Sequence, residues 1–171
     1  MFGVYDFFPK TYHGIARFSF NVSTRELQGI IIDTLYQLNR GKVNFQDFAQ
    51  FNIEVILEFG IADGVTFNYL DRETLKYCSE RLHKQTSPKL DFFCVSRYYL
   101  MGKGKRRPLK FDYYILRFIF DEKEAELQVF HEKGTQRLSV KDLIILLMKN
   151  INRKLARKNL GSLNVTYKHA L

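Results

Sequence analysis

The chain has 171 residues, 46% hydrophobic and 26% charged, with two cysteines and a formal net charge of +9. Those totals exclude a disordered tract and a disulfide scaffold, and they suit one domain over residues 1–171 that folds without a metal or cross-link. The longest aliphatic run, "LIILLM" at 143–148, is far short of the roughly 20 residues that span a bilayer.

The opening "MFGVYDFFPK" has no apolar run of signal-peptide length. "GIARFSFNV" then alternates, with Ala16, Phe18, Phe20 and Val22 on one face, and predicts a half-buried strand. Ser23 and Glu26 have capping-box spacing, and Leu27, Ile30, Ile31, Leu35 and Leu38 form the stripe of a first helix that Gly41 is placed to end. A second strand carries Phe51, Ile53, Val55, Leu57 and Phe59 on one face and Asn52, Glu54 and Glu58 on the other. Asp63-Gly64 reads as a two-residue hairpin turn into a strand with Val65, Phe67 and Tyr69. Asp71 caps a second helix whose inner face holds Leu75, Cys78 and Leu82.

Two long strands follow, near 90–100 and 110–120. Each is apolar on both faces in places, as at Phe92 with Phe93 and Phe118 with Ile119, which requires cover on both sides from this chain or another subunit. "DEKEAE" turns into a further strand, "ELQVFH". Ser139 and Asp142 open the last helix, and Leu163, Val165 and Tyr167 alternate in the tail.

The order β-α-β-β-α-β-β-β-α-(β) defines an α+β fold, an antiparallel or mixed sheet with helices packed on it. "STRELQGII" and "SVKDLIILL" share a cap, an acid and an apolar step, the trace of a weak internal duplication or of two ordinary capped helices. Ile32 and Tyr36 on the first helix, and Ile145 and Leu146 on the last, lie off the main apolar stripes. Either a second layer covers them or they form the interface of a homodimer.

Charge is localised. Residues 97–117 carry seven Lys/Arg and one Asp, and residues 141–158 carry six Lys/Arg and one Asp. The rest of the chain is near neutral, an asymmetry that points to an anionic partner. "MGKGKRRPLK" (101–110) joins the two long strands. It lacks the ending and the following helix of a P-loop. Lys103, Lys105, Arg106 and Arg107 are its phosphate-contact candidates, and Tyr98, Tyr99, Tyr113 and Tyr114 are neighbouring rings that could stack bases. Lys149, Arg153 and Arg157 recur every fourth residue on the last helix and could extend the track, although cations near a helix C-terminus also suit its dipole.

The four histidines are scattered, with no metal-ligand spacing, and no nucleophile motif is present. Glu54 and Glu58 lie about 13 Å apart along a strand, wider than a glycosidase carboxylate pair. No cofactor is expected. Cys78 and Cys94 read as free thiols of a reducing cytoplasm, with a disulfide as the alternative. Three functions fit these observations. The leading one is non-catalytic binding of a polyanion, RNA or single-stranded DNA. The others are a homo-oligomeric assembly module and an enzyme whose basic loop is an anion-binding lid.

Overall fold

The computed structural model describes residues 1–169. The elements are β1 (Gly14–Ser19), α1 (Thr24–Leu38), β2 (Lys42–Val43), α2 (Gln46–Ala49), β3 (Ile53–Asp63), β4 (Thr66–Tyr69), α3 (Arg72–Lys84), β5 (Lys89–Gly102), β6 (Lys105–Pro108), β7 (Asp112–Asp121), β8 (Glu124–Lys133), α4 (Val140–Arg157) and β9 (Asn164–His169). The expected α+β order is present, with the short β2, α2 and β6 added. Every strand pairing is antiparallel, in the order β2-β3-β5-β7-β8-β1-β9, with β4 on β3 and β6 on β5. Among the described residues no helix is long and apolar enough to cross a membrane.

Alternation decides which side chains meet the helices. Ala16, Phe18, Val55, Leu57, Phe92, Cys94, Leu116, Phe118, Leu127 and Val129 share one buried cluster with the stripes of α1, α3 and α4. Burying a side chain of that size stabilises the fold by about 1.5–3 kcal/mol, so this cluster dominates the packing energy. The three long helices begin where the capping residues place them. Ser23, Asp71 and Ser139 accept from the N–H groups of Glu26, Thr74 and Asp142.

Three local expectations are corrected. The β3–β4 turn is Gly64-Val65, because Asp63 pairs with Thr66; Gly64 takes the positive φ (+71°) and its neighbour Asp63 stays in the strand. Helix α1 ends at Leu38 with Arg40, not Gly41, in the left-handed region (φ +63°), and Arg40 N–H then donates to Leu57 C=O. Phe51 is 68% exposed, because the turn after α2 delays the strand until Ile53.

Part of the second sheet face receives its cover from the segment before β1, through Tyr5 and Phe8. Gly3 is wedged between two strands, donating to Ala62 C=O (2.8 Å) and accepting from Asp91 N–H (2.6 Å). Asp91 is fully buried and takes two bonds from Arg117 (2.7 and 2.8 Å) and one from Tyr5 N–H (2.7 Å). Arg117 also donates to Tyr5 C=O and lies over the Phe8 ring. Beside this strap runs a row of rings, Tyr5, Phe67, Phe93 and Tyr113, with successive centroids 4.6, 5.5 and 6.0 Å apart. The chain itself thus supplies cover for the second apolar face of β5 and β7.

A basic hairpin as the candidate functional site

The segment "MGKGKRRP" is a hairpin and not a loose loop. Gly102 pairs with Lys105, so Lys103 and Gly104 form a two-residue turn, and both have positive φ (+43° and +73°). That is the turn geometry whose twist matches flanking antiparallel strands. Neighbour β3 stops at Ile53, opposite Leu100, with a last contact from Met101 N–H to Asn52 C=O. The tip therefore overhangs the sheet by about three residues, or roughly 10 Å.

Strand alternation sorts the cations. Arg107 pairs with Leu100 and Lys105 with Gly102, on the helix side of the ribbon. Arg106 turns to the other side, where it donates to Glu54 (2.7 Å) and its guanidinium lies 3.8 Å from the centre of the Tyr99 ring. Glu54 is also held by Lys42 (3.2 Å). Glu58 is clamped in the same way between Arg97 (3.2 Å) and Arg40 (3.6 Å). Each acid is committed to a pair of cations, and Arg106 is a strut of the ribbon. Lys103, Lys105 and Arg107 are exposed and have no acid partner among the described residues.

The base of the ribbon is built around Asp112, which is 0% exposed. Its carboxylate accepts from Tyr98 O–H (2.6 Å), Gln136 N–H (2.7 Å), Arg137 N–H (2.7 Å) and, at 3.4 Å, Leu138 N–H. It also bonds His131 Nε2 at 2.8 Å. Tyr98 oxygen accepts from Leu138 N–H (2.8 Å), and Tyr114 O–H donates to Leu138 C=O. Gly134 lies so close that an added Cβ would stand 2.3 Å from Asp112 Oδ1. Burial pushes the Asp112 carboxyl upward, but the bonds from Tyr98, His131 and the two amides reverse this and hold it below its ordinary value. Burial, with the Asp112 bond second, raises the Tyr98 phenol. This anchor is absent from the sequence reading. Its one local signal is an acid opening the apolar run "DYYILRFIF".

The stacking assignments divide. Tyr98 and Tyr114 are 0% exposed, their hydroxyls engaged at the Asp112 anchor, so neither ring can receive a base. Tyr99 is half-buried under Arg106, and Tyr113 is half-buried beside Phe93. The ribbon's cationic side therefore has no stacking platform from these four residues.

Lys149, Arg153 and Arg157 are exposed on α4, but they do not continue the hairpin. Helix α4 starts at the ribbon base, where Leu138 meets Tyr98. It then runs past α1, with Lys154 paired to Asp33 and Gly161, just past the helix end, lying beside Asn21. Val22, next to Asn21, accepts from Lys123 at the β7–β8 turn, the opposite end of β7 from Asp112. Arg157 thus lies about 25 Å along the helix from its start, away from the tip. A single track joining the two basic segments does not form.

Of the interface candidates, Ile32 is 1% exposed, because it faces α3 beside Leu75 and Cys78. Tyr36 and Leu146 are half-buried against the core, and only Ile145, at 37%, is exposed. The four do not make an apolar patch. Cys78 and Cys94 are free and buried, and burial raises the Cys78 thiol to about 12. Among the described residues no cluster of His, Cys, Asp or Glu could hold a metal ion.

No protein-family model, curated protein or solved structure gives a significant match to this chain.

Proposed function

We propose that this protein is a non-catalytic, cytoplasmic nucleic-acid-binding protein that grips phosphates with the β5–β6 ribbon. The observation that carries the reading is the sorting of the four tip cations. Arg106 stiffens the ribbon, while Lys103, Lys105 and Arg107 project without acid partners from an overhanging two-stranded element. A β-ribbon fits the major groove of a duplex, and cations on it neutralise phosphates whatever the sequence. The burial of Tyr98 and Tyr114 favours backbone contact over base stacking, so the reading moves from single strands toward duplex. The buried free thiols support a reducing compartment.

Fluorescence anisotropy with labelled duplex DNA and single-stranded RNA, across a salt series, tests it. Three phosphate contacts give a log–log salt slope of about −2.7 on duplex, or about −2.1 on a single strand. Replacing Lys103, Lys105 and Arg107 with Ala removes most of that slope, whereas alanines at Lys149, Arg153 and Arg157 leave it in place. Absence of binding at low salt, or a slope that the triple hairpin variant retains, overturns the reading.

A further inference from the structure

Helices α1 and α3 lie side by side, and between them opens a cleft of about 470 Å³, within the range usual for small-molecule sites. Its floor is apolar, made by Ile30 and Ile32 of α1 and Leu75, Cys78 and Leu82 of α3. Gly29 sits in its wall, in the middle of a 15-residue helix. A methyl group added there would meet nothing outside its own stretch of helix within 4 Å. Glycine weakens a helix interior, and here no neighbour requires it; the effect of the missing side chain is to keep the cleft open.

The rim of the cleft is cationic. Arg25 Nε donates to Leu82 C=O (2.9 Å), which pins the guanidinium across the gap and leaves its terminal nitrogens free to donate. Lys154 pairs with Asp33, and one turn further Lys158 reaches the rim without an acid partner of its own. His83 stands beside Leu82 on the same rim. Of the two acids present, Asp33 is neutralised by Lys154, and Glu26 alone opposes Arg25 and Lys158.

We propose that this cleft is a binding site for an amphipathic carboxylate, with the apolar body lying along Gly29 and the floor residues and the carboxylate held by Arg25 and Lys158. The site is independent of the hairpin, which lies at the other end of the sheet.

The test is a titration of the ¹⁵N-labelled protein with dodecanoate below its micelle-forming concentration, read by amide shifts around Gly29 and Cys78. Dodecyltrimethylammonium serves as the cationic control and dodecanol as the neutral one. Saturable one-to-one binding of dodecanoate is expected, with none of the cation. Gly29→Leu fills the cleft and weakens binding at least about tenfold, the scale of losing a few buried methylenes. Its unfolding temperature stays equal to or above the wild type, which separates a filled site from a damaged fold. Lys158→Gln weakens dodecanoate by about fivefold, the upper scale of an exposed ion pair, and leaves dodecanol unchanged. The alanine variant at Lys103, Lys105 and Arg107 binds dodecanoate as the wild type does. Absence of saturable binding, equal response to the cation, undiminished binding in Gly29→Leu, or loss of binding in the hairpin variant each overturns the proposal.

Discussion

The two ends of one ribbon obey different rules. At its base, Asp112 is sealed from water and satisfied by a phenol, an imidazole and backbone amides. At its tip, three cations stand in solvent on a hairpin where a side chain added at Gly102 or Gly104 would meet no neighbour within 4 Å. The base has many partners within a small space, so it governs stability and leaves no group for an outside ligand. The tip has few, so it adds little to stability and is open to a partner. Stability and recognition are separated along a single pair of strands.

The largest effect expected is at the base. Asp112→Ala strands two or three buried donors and Tyr98, and should cost about 3–5 kcal/mol in denaturant unfolding. An equally large loss from the tip variants would erase the contrast between the two ends. Acid tests the same anchor by another route. The folded carboxyl lies below its ordinary 3.8, so the unfolded chain binds the proton more tightly. Its contribution is complete above that value and is lost as pH falls through the depressed folded value. Unfolding followed from about pH 5 downward should fall more steeply for the wild type than for Asp112→Asn.

Intermediate in size is Gly104→Val, which forces a branched residue into the left-handed region (φ +73°). It should cost about 1–2 kcal/mol and weaken polyanion binding by distorting the turn. The smallest stability change belongs to the joint replacement of Lys103, Lys105 and Arg107 with Ala. Calorimetry should place it within about 0.5 kcal/mol of the wild type per site, while affinity falls. A neutral tip with unchanged affinity would show that the ribbon recognises nothing by charge.

The capped helix starts at Ser23, Asp71 and Ser139 were legible because capping is a contact over three residues. The buried face of β3 was legible because its alternation is strict through Val55, Leu57 and Phe59. Sidedness within "RYYL" and "DYYI" was not. Alternation says that one tyrosine of each pair turns inward, but which one depends on the face the helices cover. Covering layers were hidden for the same reason: α3 lies over Ile32, and Tyr5 and Phe8 over β5 and β7, through contacts distant in sequence. The Asp112 anchor joins residues up to 40 positions apart, and the β7–β8 register shifts beside it, between Tyr113 and Tyr114. The sorting of Arg106 from its neighbours needs the pairing with Glu54, 52 positions away. Local pattern carries neither.

The wedge at Gly3 bears on how the chain is made. Tyr5 C=O finds its donor in Arg117, 112 residues later. At about 5–20 residues per second, synthesis separates the two by roughly 6–22 s. During that interval β3 can be complete while its Ile53–Phe59 edge has no β5 beside it, and the segment around Tyr5 has no carboxylate at Asp91 to hold it. The gap closes only when β5 and β7 have emerged, so Gly3 and Tyr5 are among the last residues to lock although they are made long before their partners. A nascent chain of this protein is therefore most open to misassociation over a defined stretch of translation, which ends with the appearance of residue 117.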